Sequence, residues 1–309
     1  TDTTSTSKSR RYHFGHIVMS ATDNARILDR GYRKFDGERL GVGSAIRSTA
    51  WQTTRSIFGL GRKARHKFFP MAILGITYLI VIIQLAAVFL FGNETAEFLT
   101  TNSWQQVAPG IVMILFAALV APDAIVRDQK NGMFTLYMST PLTKPTYLAA
   151  KSLSVAGSIL LITFGPGLLY LLGKTVKGLG PDGVGQWFET FGRLLVACIL
   201  LSLFLCAFSL AFSCFTNRRA IASIVVLLAY LGTSVPSRIL YDETNIGENI
   251  LLINPIETAY EFGARLCKSP PVIDVYGDIT TTFVTLGFFG WLLLSSLIVM
   301  ASYRKREAI

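Results

Sequence analysis

Six long apolar stretches, separated by short polar connections, dominate the pattern of the chain. They run Phe69 to Phe91, Val107 to about Val126, Tyr147 to Leu172, Leu194 to Phe215, Ala220 to about Ile239, and Ile279 to Tyr303. A bilayer core of ~30 Å needs about 20 apolar residues in a helix. Each stretch is apolar throughout rather than alternating, which predicts helices and not barrel strands. The predicted fold class is therefore all-α, a polytopic membrane protein with six transmembrane helices. Charge enters these stretches only near their ends, at Asp123, Lys151 and Arg238. Lys151 is expected to snorkel toward the interface.

The polar connections carry further pattern. Residues 44–68 (SAIRSTAWQTTRSIFGLGRKARHKF) place Ile46, Ala50, Ile57 and Leu60 on one helical face, flanked by Trp51 and Phe58, with Arg55, Arg62 and Lys63 opposite. A basic amphipathic helix just ahead of a span reads as a connecting helix in the inner interface, held by apolar burial and anionic headgroups. A helix packed on another protein surface would show the same pattern. Residues 127–146 change from charged (Arg127, Asp128, Lys130) to apolar (Met133, Phe134, Leu136, Tyr137, Met138), and Pro141 and Pro145 then break any helix. Such an apolar cluster on a short connection fits either a docking surface or a helix lying under the bilayer. Residues 241–278 contain Ile250 to Ile253, too short to span, then Asn254-Pro255 and a helix-like stretch to Leu266. This predicts a re-entrant or interfacial hairpin before the sixth span. Residues 1–43 read as a strap, polar and partly disordered, and 304–309 as a short tail.

Composition strengthens the membrane reading. Of the 309 residues, 51% are hydrophobic and only 16% charged, against about a quarter charged in ordinary soluble domains. The net charge of +10 follows topology. With residues 1–68 in the cytoplasm, only Lys174, Lys177, Arg193, Arg238, Arg265 and Lys268 lie outside, and the other basic residues lie inside. Both termini are then cytoplasmic. No excess remains that needs a nucleic acid to explain it. Residues 1–68 contain no short apolar h-region, so the first span is expected to act as its own insertion signal.

Candidate chemistry is sparse. All three histidines (His13, His16, His66) precede the first span. No span carries an ionised side chain at mid-depth, where proton pumps and ion-coupled carriers usually have one. The nearest approach to a nucleotide-binding loop, Gly167 to Thr175, has five residues between its glycines where four are required. No catalytic, cofactor or metal residue is assigned.

The order of elements and three motifs resemble the ABC-2 type membrane subunit, the permease half of a type V ABC exporter. The segment Asp128 to Leu136 with Ser139-Thr140-Pro141-Leu142 is similar to the family's cytoplasmic Gly-Thr-Leu, Ser-Thr-Pro-Leu stretch. Asn254-Pro255-Ile256 resembles its outer Asn-Pro-Leu element, and Gly31 to Leu40 looks similar to the strap of actinobacterial members. The family's acidic residue ahead of a basic one is matched only loosely, by Asp123 or Asp128, and no salt bridge is assigned there. The resemblance implies a homodimer, or a heterodimer with a sister permease, in a bacterial plasma membrane. Separate ATPase subunits would hold ATP and Mg and dock underneath. Arg127, Asp128, Lys130, Met133, Phe134, Leu136 and Tyr137 would form the ATPase-coupling element. Ile46, Trp51, Ile57 and Phe58 would face membrane lipids, and Asn254 and Pro255 would shape the outer hairpin. Met113, Phe116, Tyr230, Thr233 and Ser234 would line the pathway of a hydrophobic or amphipathic substrate. The rival is a six-span channel, scaffold or lipid-handling protein that works without an ATPase.

Overall fold

The computed structural model describes residues 40–60, 67–91, 110–216, 218–243, 247–271 and 274–305. Residues 1–39 of the expected strap (1–43), residues 61–66 of the connecting segment, His13, His16 and His66, and the end of the tail lie outside the described residues. So does the side chain of Phe134. Among the described residues, ten α-helices follow in order: α1 Val42–Ile57, α2 Phe68–Phe91, α3 Gly110–Lys130, α4 Met133–Met138, α5 Lys144–Val176, α6 Gly183–Ser213, α7 Arg219–Gly232, α8 Ser234–Glu243, α9 Pro255–Leu266 and α10 Thr281–Lys305. Two 3₁₀ turns, Glu248–Ile253 and Asp274–Asp278, flank α9. No strand occurs among the described residues.

Among the described residues, six helical segments are long and apolar enough to cross a membrane: α2, α3, α5, α6, the α7–α8 pair and α10. This agrees with the six predicted spans. Two of them exceed the predicted length. α5 has 33 residues and α6 has 31, ~50 Å and ~46 Å at 1.5 Å per residue. The extra length of α5 is Lys144, Pro145 and Thr146 at its start and Gly173 to Val176 at its end. That of α6 carries Trp187, Phe188, Phe191 and Arg193. These turns are too polar or mixed to register as membrane sequence, yet the helix continues through them.

The fifth span is interrupted. α7 ends at Gly232 because Pro236, four residues on, has no N–H to offer the Gly232 carbonyl. Hydroxyl groups take over local carbonyls. Thr233 Oγ1 donates to Ala229 (3.2 Å) and Tyr230 (3.3 Å), and Ser234 Oγ donates to Leu231 at 2.7 Å.

The core lies between α3, α5, α6 and α10. Phe288 of α10 stacks on Phe204 of α6 (centroids 5.3 Å apart) and on Phe262 of α9 (4.3 Å), while Phe208 packs against Tyr230 at 4.8 Å. α2 packs more sparingly, burying only Thr77, Val81 and Val88. Two glycines of α5 let it approach. A Cβ on Gly165 would land on the Tyr78 hydroxyl, and one on Gly173 would overlap the Leu85 methyl groups.

The connecting helix differs from its predicted face. α1 closes at Ile57, and the turn after it buries Phe58 and leaves Leu60 exposed. Its buried side is Thr49, Ala50, Thr53 and Ile57, while Ile46 is half-buried and Trp51 is 65% exposed. The threonines turn inward because α1 lies against the first turns of α5, whose facing groups are polar. Thr54 and Ser154 share a hydrogen bond of 2.9 Å, and Lys151 Nζ donates to Thr53 Oγ1 at 3.0 Å. This face is therefore packed on α5 of the same chain, and Trp51 lies on the face turned away.

Candidate functional site: a polar latch at the α1–α4 end of the bundle

One end of the bundle gathers α1, the last turn of α3, α4, the first turns of α5 and the end of α10. The sequence builds this end locally. α3 stops at Lys130, and Gly132 (φ +63°) supplies the left-handed turn into α4. α4 is six residues long. Ser139 Oγ donates to the Leu136 carbonyl at 2.7 Å and Thr140 Oγ1 to that of Tyr137 at 2.5 Å, closing the helix at its C-terminal side. Pro141 forbids continuation, and Leu142 is buried as an anchor. Thr143 and Thr146 then form the reciprocal cap that starts α5, with Pro145 in its first turn. The Ser-Thr-Pro-Leu stretch is thus a stop, a turn and a start.

A charged pair sits inside this frame. Lys151 Nζ lies 2.6 Å from Asp128 Oδ2, and the lysine is 3% exposed. Tyr147, one turn before Lys151 on α5, donates its hydroxyl to the same carboxylate oxygen at 2.9 Å. The ammonium also lies over the rings of Tyr137 (5.4 Å) and Tyr147 (5.6 Å). One lysine thereby joins α3, α4, α5 and α1. Arg127 Nη1 donates to Ser56 of α1 at 2.9 Å, and Gln129 Nε2 to the Tyr303 hydroxyl of α10 at 3.3 Å. A second ion pair, Arg219 to Asp123 at 3.1 Å, ties the start of α7 to α3. The Tyr137 phenol is pushed above its usual value of 10, first by burial and then by the Asp128 charge. A crevice of about 170 Å³ opens over the latch between α1, α3 and α4.

Several expectations change here. Lys151 does not snorkel outward; it turns inward to a carboxylate. Asp123 and Asp128, given no salt bridge from sequence, each hold one. Arg127 and Asp128, assigned to ATPase coupling, use their charged groups within the chain. Lys130 and Leu136 are exposed, Leu136 by 61%, and Met133 by 38%. Tyr137 and Met138 are half-buried against the core, so α4 has an inward and an outward face. Helical period carries one clue to the latch: Tyr147 and Lys151 are four residues apart on one face of α5, at the start of the third apolar stretch.

At the opposite end, Asn254 caps α9, accepting from the N–H of Ile256 (3.1 Å) and Glu257 (3.4 Å), and Pro255 sits in the first turn. Arg265 holds Glu261 at 2.8 Å and the Tyr276 carbonyl at 2.6 Å, while the Tyr276 hydroxyl donates to Glu257 at 3.1 Å. Trp291 of α10 donates to the Leu252 carbonyl at 3.0 Å. The predicted hairpin is thus a buried helix strapped to α6 and α10 by polar groups.

The residues expected to line a pathway sit in different local settings. Met113, Phe116 and Tyr230 are buried in the packed interior. Tyr230 shares a hydrogen bond with Ser209 (2.9 Å) and donates to the Leu205 carbonyl (3.1 Å). Thr233 and Ser234 spend their hydroxyls on the break between α7 and α8.

Six membrane-length helices among the described residues, with a short helix on the connection between the second and third, make the chain a multi-pass membrane protein. Residues 93–297 match the family described as ABC-2 family transporter protein, and the chain belongs to that family. Its members are membrane permeases of ABC transporters, generally non-catalytic, that normally work with ABC ATPase subunits. No curated protein matches the chain.

Proposed function

We propose that this chain is the translocation subunit of an ABC exporter, moving a hydrophobic or amphipathic substrate outward as one of a pair of permeases. Separate ATPase subunits that bind ATP and Mg would drive it from the α1–α4 end. The excess of basic residues at that end supports a cytoplasmic placement with both termini inside. The observation that carries the reading is the Lys151 latch. α4 presents Met133 and Leu136 outward, while Tyr137 on its inward side meets the lysine that also binds Asp128 of α3 and Thr53 of α1. A push on the outer face of α4 is therefore delivered to the second and third spans together. Closure of an ATPase dimer supplies such a push, and the chain needs no intramembrane carboxylate of its own.

The test is co-purification from the native membrane in mild detergent, with nucleotide trapped. An ABC ATPase subunit should accompany the tagged chain, and its ATPase activity should respond to the permease. Recovery of the permease in intact, dimeric form with no ATP-binding protein would overturn the exporter reading in favour of an ATPase-independent channel or lipid-handling protein.

A further inference from the structure

A cavity of about 370 Å³ opens between α1, α2, α3 and the start of α7, within the 300–1,000 Å³ range of small-molecule sites. Its walls are mostly apolar and come from Phe69 and Ile73 of α2 and Phe116 and Leu119 of α3. Asp123 and Arg219 supply its charge. The carboxylate of Asp123 is 8% exposed and Arg219 is 54% exposed, so the anion lies deep and the cation at the mouth. Asp123 Oδ1 is 3.1 Å from Arg219 Nη1, yet the geometry yields no hydrogen bond to that buried oxygen. A buried carboxylate oxygen with unused accepting capacity is costly unless a donor reaches it. The cavity lies at the first turn of α2, where Phe69 is exposed, and beside the final turns of α3. These are the depths at which a span leaves hydrocarbon for headgroups.

We propose that this cavity is a binding site for a zwitterionic phospholipid bearing a primary ammonium, of the phosphatidylethanolamine class. The ammonium donates to Asp123, the phosphate meets Arg219 at the mouth, and the upper acyl chain lies along Phe69 and Ile73. The two protein charges and the two headgroup charges match in sign and in order of depth. Phosphatidylcholine carries a cation but no N–H to donate, and phosphatidylglycerol has no cation to set against Asp123. The inference rests on the membrane placement of α2 and α3 and not on the exporter reading, since a lipid would occupy the cavity whether or not an ATPase docks.

Native mass spectrometry of the delipidated, full-length protein tests it with dioctanoyl phosphatidylethanolamine, phosphatidylcholine and phosphatidylglycerol as probes. The ethanolamine lipid should bind about tenfold more tightly than either of the others, the factor expected of one charge-assisted hydrogen bond. Asp123→Asn should erase that preference. Arg219→Gln should weaken the lipids together and leave the ratio of ethanolamine to choline lipid unchanged. Ile73→Trp, which fills the cavity without touching a charge, should remove the tight site. Equal binding of the three lipids, or a preference that survives both Asp123→Asn and Ile73→Trp, would overturn the proposal. Neither result would bear on whether an ATPase co-purifies, so the two readings fail separately.

Discussion

Lys151 of α5 reaches 2.6 Å from Asp128 of α3 with almost none of its surface in water. Tyr147 and Thr53 complete the shell, so both charges are hydrogen-bonded as well as paired. Removing one partner of such a pair strands the other, at a cost of about 3–5 kcal/mol. Lys151→Met and Asp128→Leu should each lower the thermal midpoint of the detergent-solubilised protein sharply. The double variant leaves no stranded charge and should recover much of the loss. Simple additivity of the two single effects would show that Asp128 and Lys151 are not energetically coupled.

The same carboxylate acts on Tyr137. Its phenol is held neutral above the usual value of 10 by burial and, to a smaller extent, by Asp128. A group whose folded pKa is raised gives stability that is complete below its unfolded value and lost as pH rises through the folded one. Alkaline unfolding should therefore steepen above about pH 10, and Tyr137→Phe should flatten that limb. In an absorbance titration at alkaline pH, Asp128→Asn should move the Tyr137 transition down only part of the way, because burial is the larger cause.

The six spans were legible in the sequence because an apolar run of about 20 residues has few other uses. The Ser-Thr-Pro-Leu and Asn-Pro motifs were legible too, and each proves to be a helix stop or start made by hydroxyl, amide and proline. The latch was not. Asp128 and Lys151 are paired by the register between antiparallel helices, and no local pattern encodes that register. The buried face of α1 departs in part from its hydropathy pattern for a related reason. Hydropathy assigns Thr49 and Thr53 to water, but the surface they meet is Ser154 and Lys151 rather than lipid. A pathway lining of Met113, Phe116 and Tyr230 follows from family likeness alone, and a likeness in sequence order says nothing of which side of a helix faces a neighbour.

The approach of α2 to α5 depends on a missing side chain. A Cβ at Gly165 would occupy the place of the Tyr78 hydroxyl. Gly165→Ala should destabilise the protein by about 1–3 kcal/mol through overpacking, read as a lower midpoint on heating. Removing the obstructing oxygen with Tyr78→Phe should return most of that loss. A double variant no better than Gly165→Ala would place the cost in the backbone of α5 instead.

The hairpin end offers a local test. Asn254 caps α9 with its side-chain oxygen, so Asn254→Ala should cost about 1 kcal/mol, while Asn254→Ser, which keeps an acceptor, should cost less. Limited proteolysis between Gly247 and Leu266 should speed up in the alanine variant alone. Equal cleavage of both variants would mean that burial of α9, rather than its cap, holds the hairpin shut.

The outer face of α4 separates stability from transmission. Leu136 is exposed and makes no part of the latch, so Leu136→Asp should leave the thermal midpoint nearly unchanged, as surface substitutions usually do within ±0.5 kcal/mol. A docked ATPase would bury that leucine, and a carboxylate at a desolvated contact costs several times as much as it does in water. Substrate-stimulated ATPase activity in the reconstituted complex should then fall by tenfold or more while the chain still inserts. Asp128→Asn makes the contrasting case. It leaves the outer face intact, so the ATPase should still dock, but it cuts the link from α4 to α3 and α5, and nucleotide hydrolysis should lose its response to substrate. Normal coupling in both variants would move the drive away from α4 and leave the Lys151 network as a brace for the fold alone.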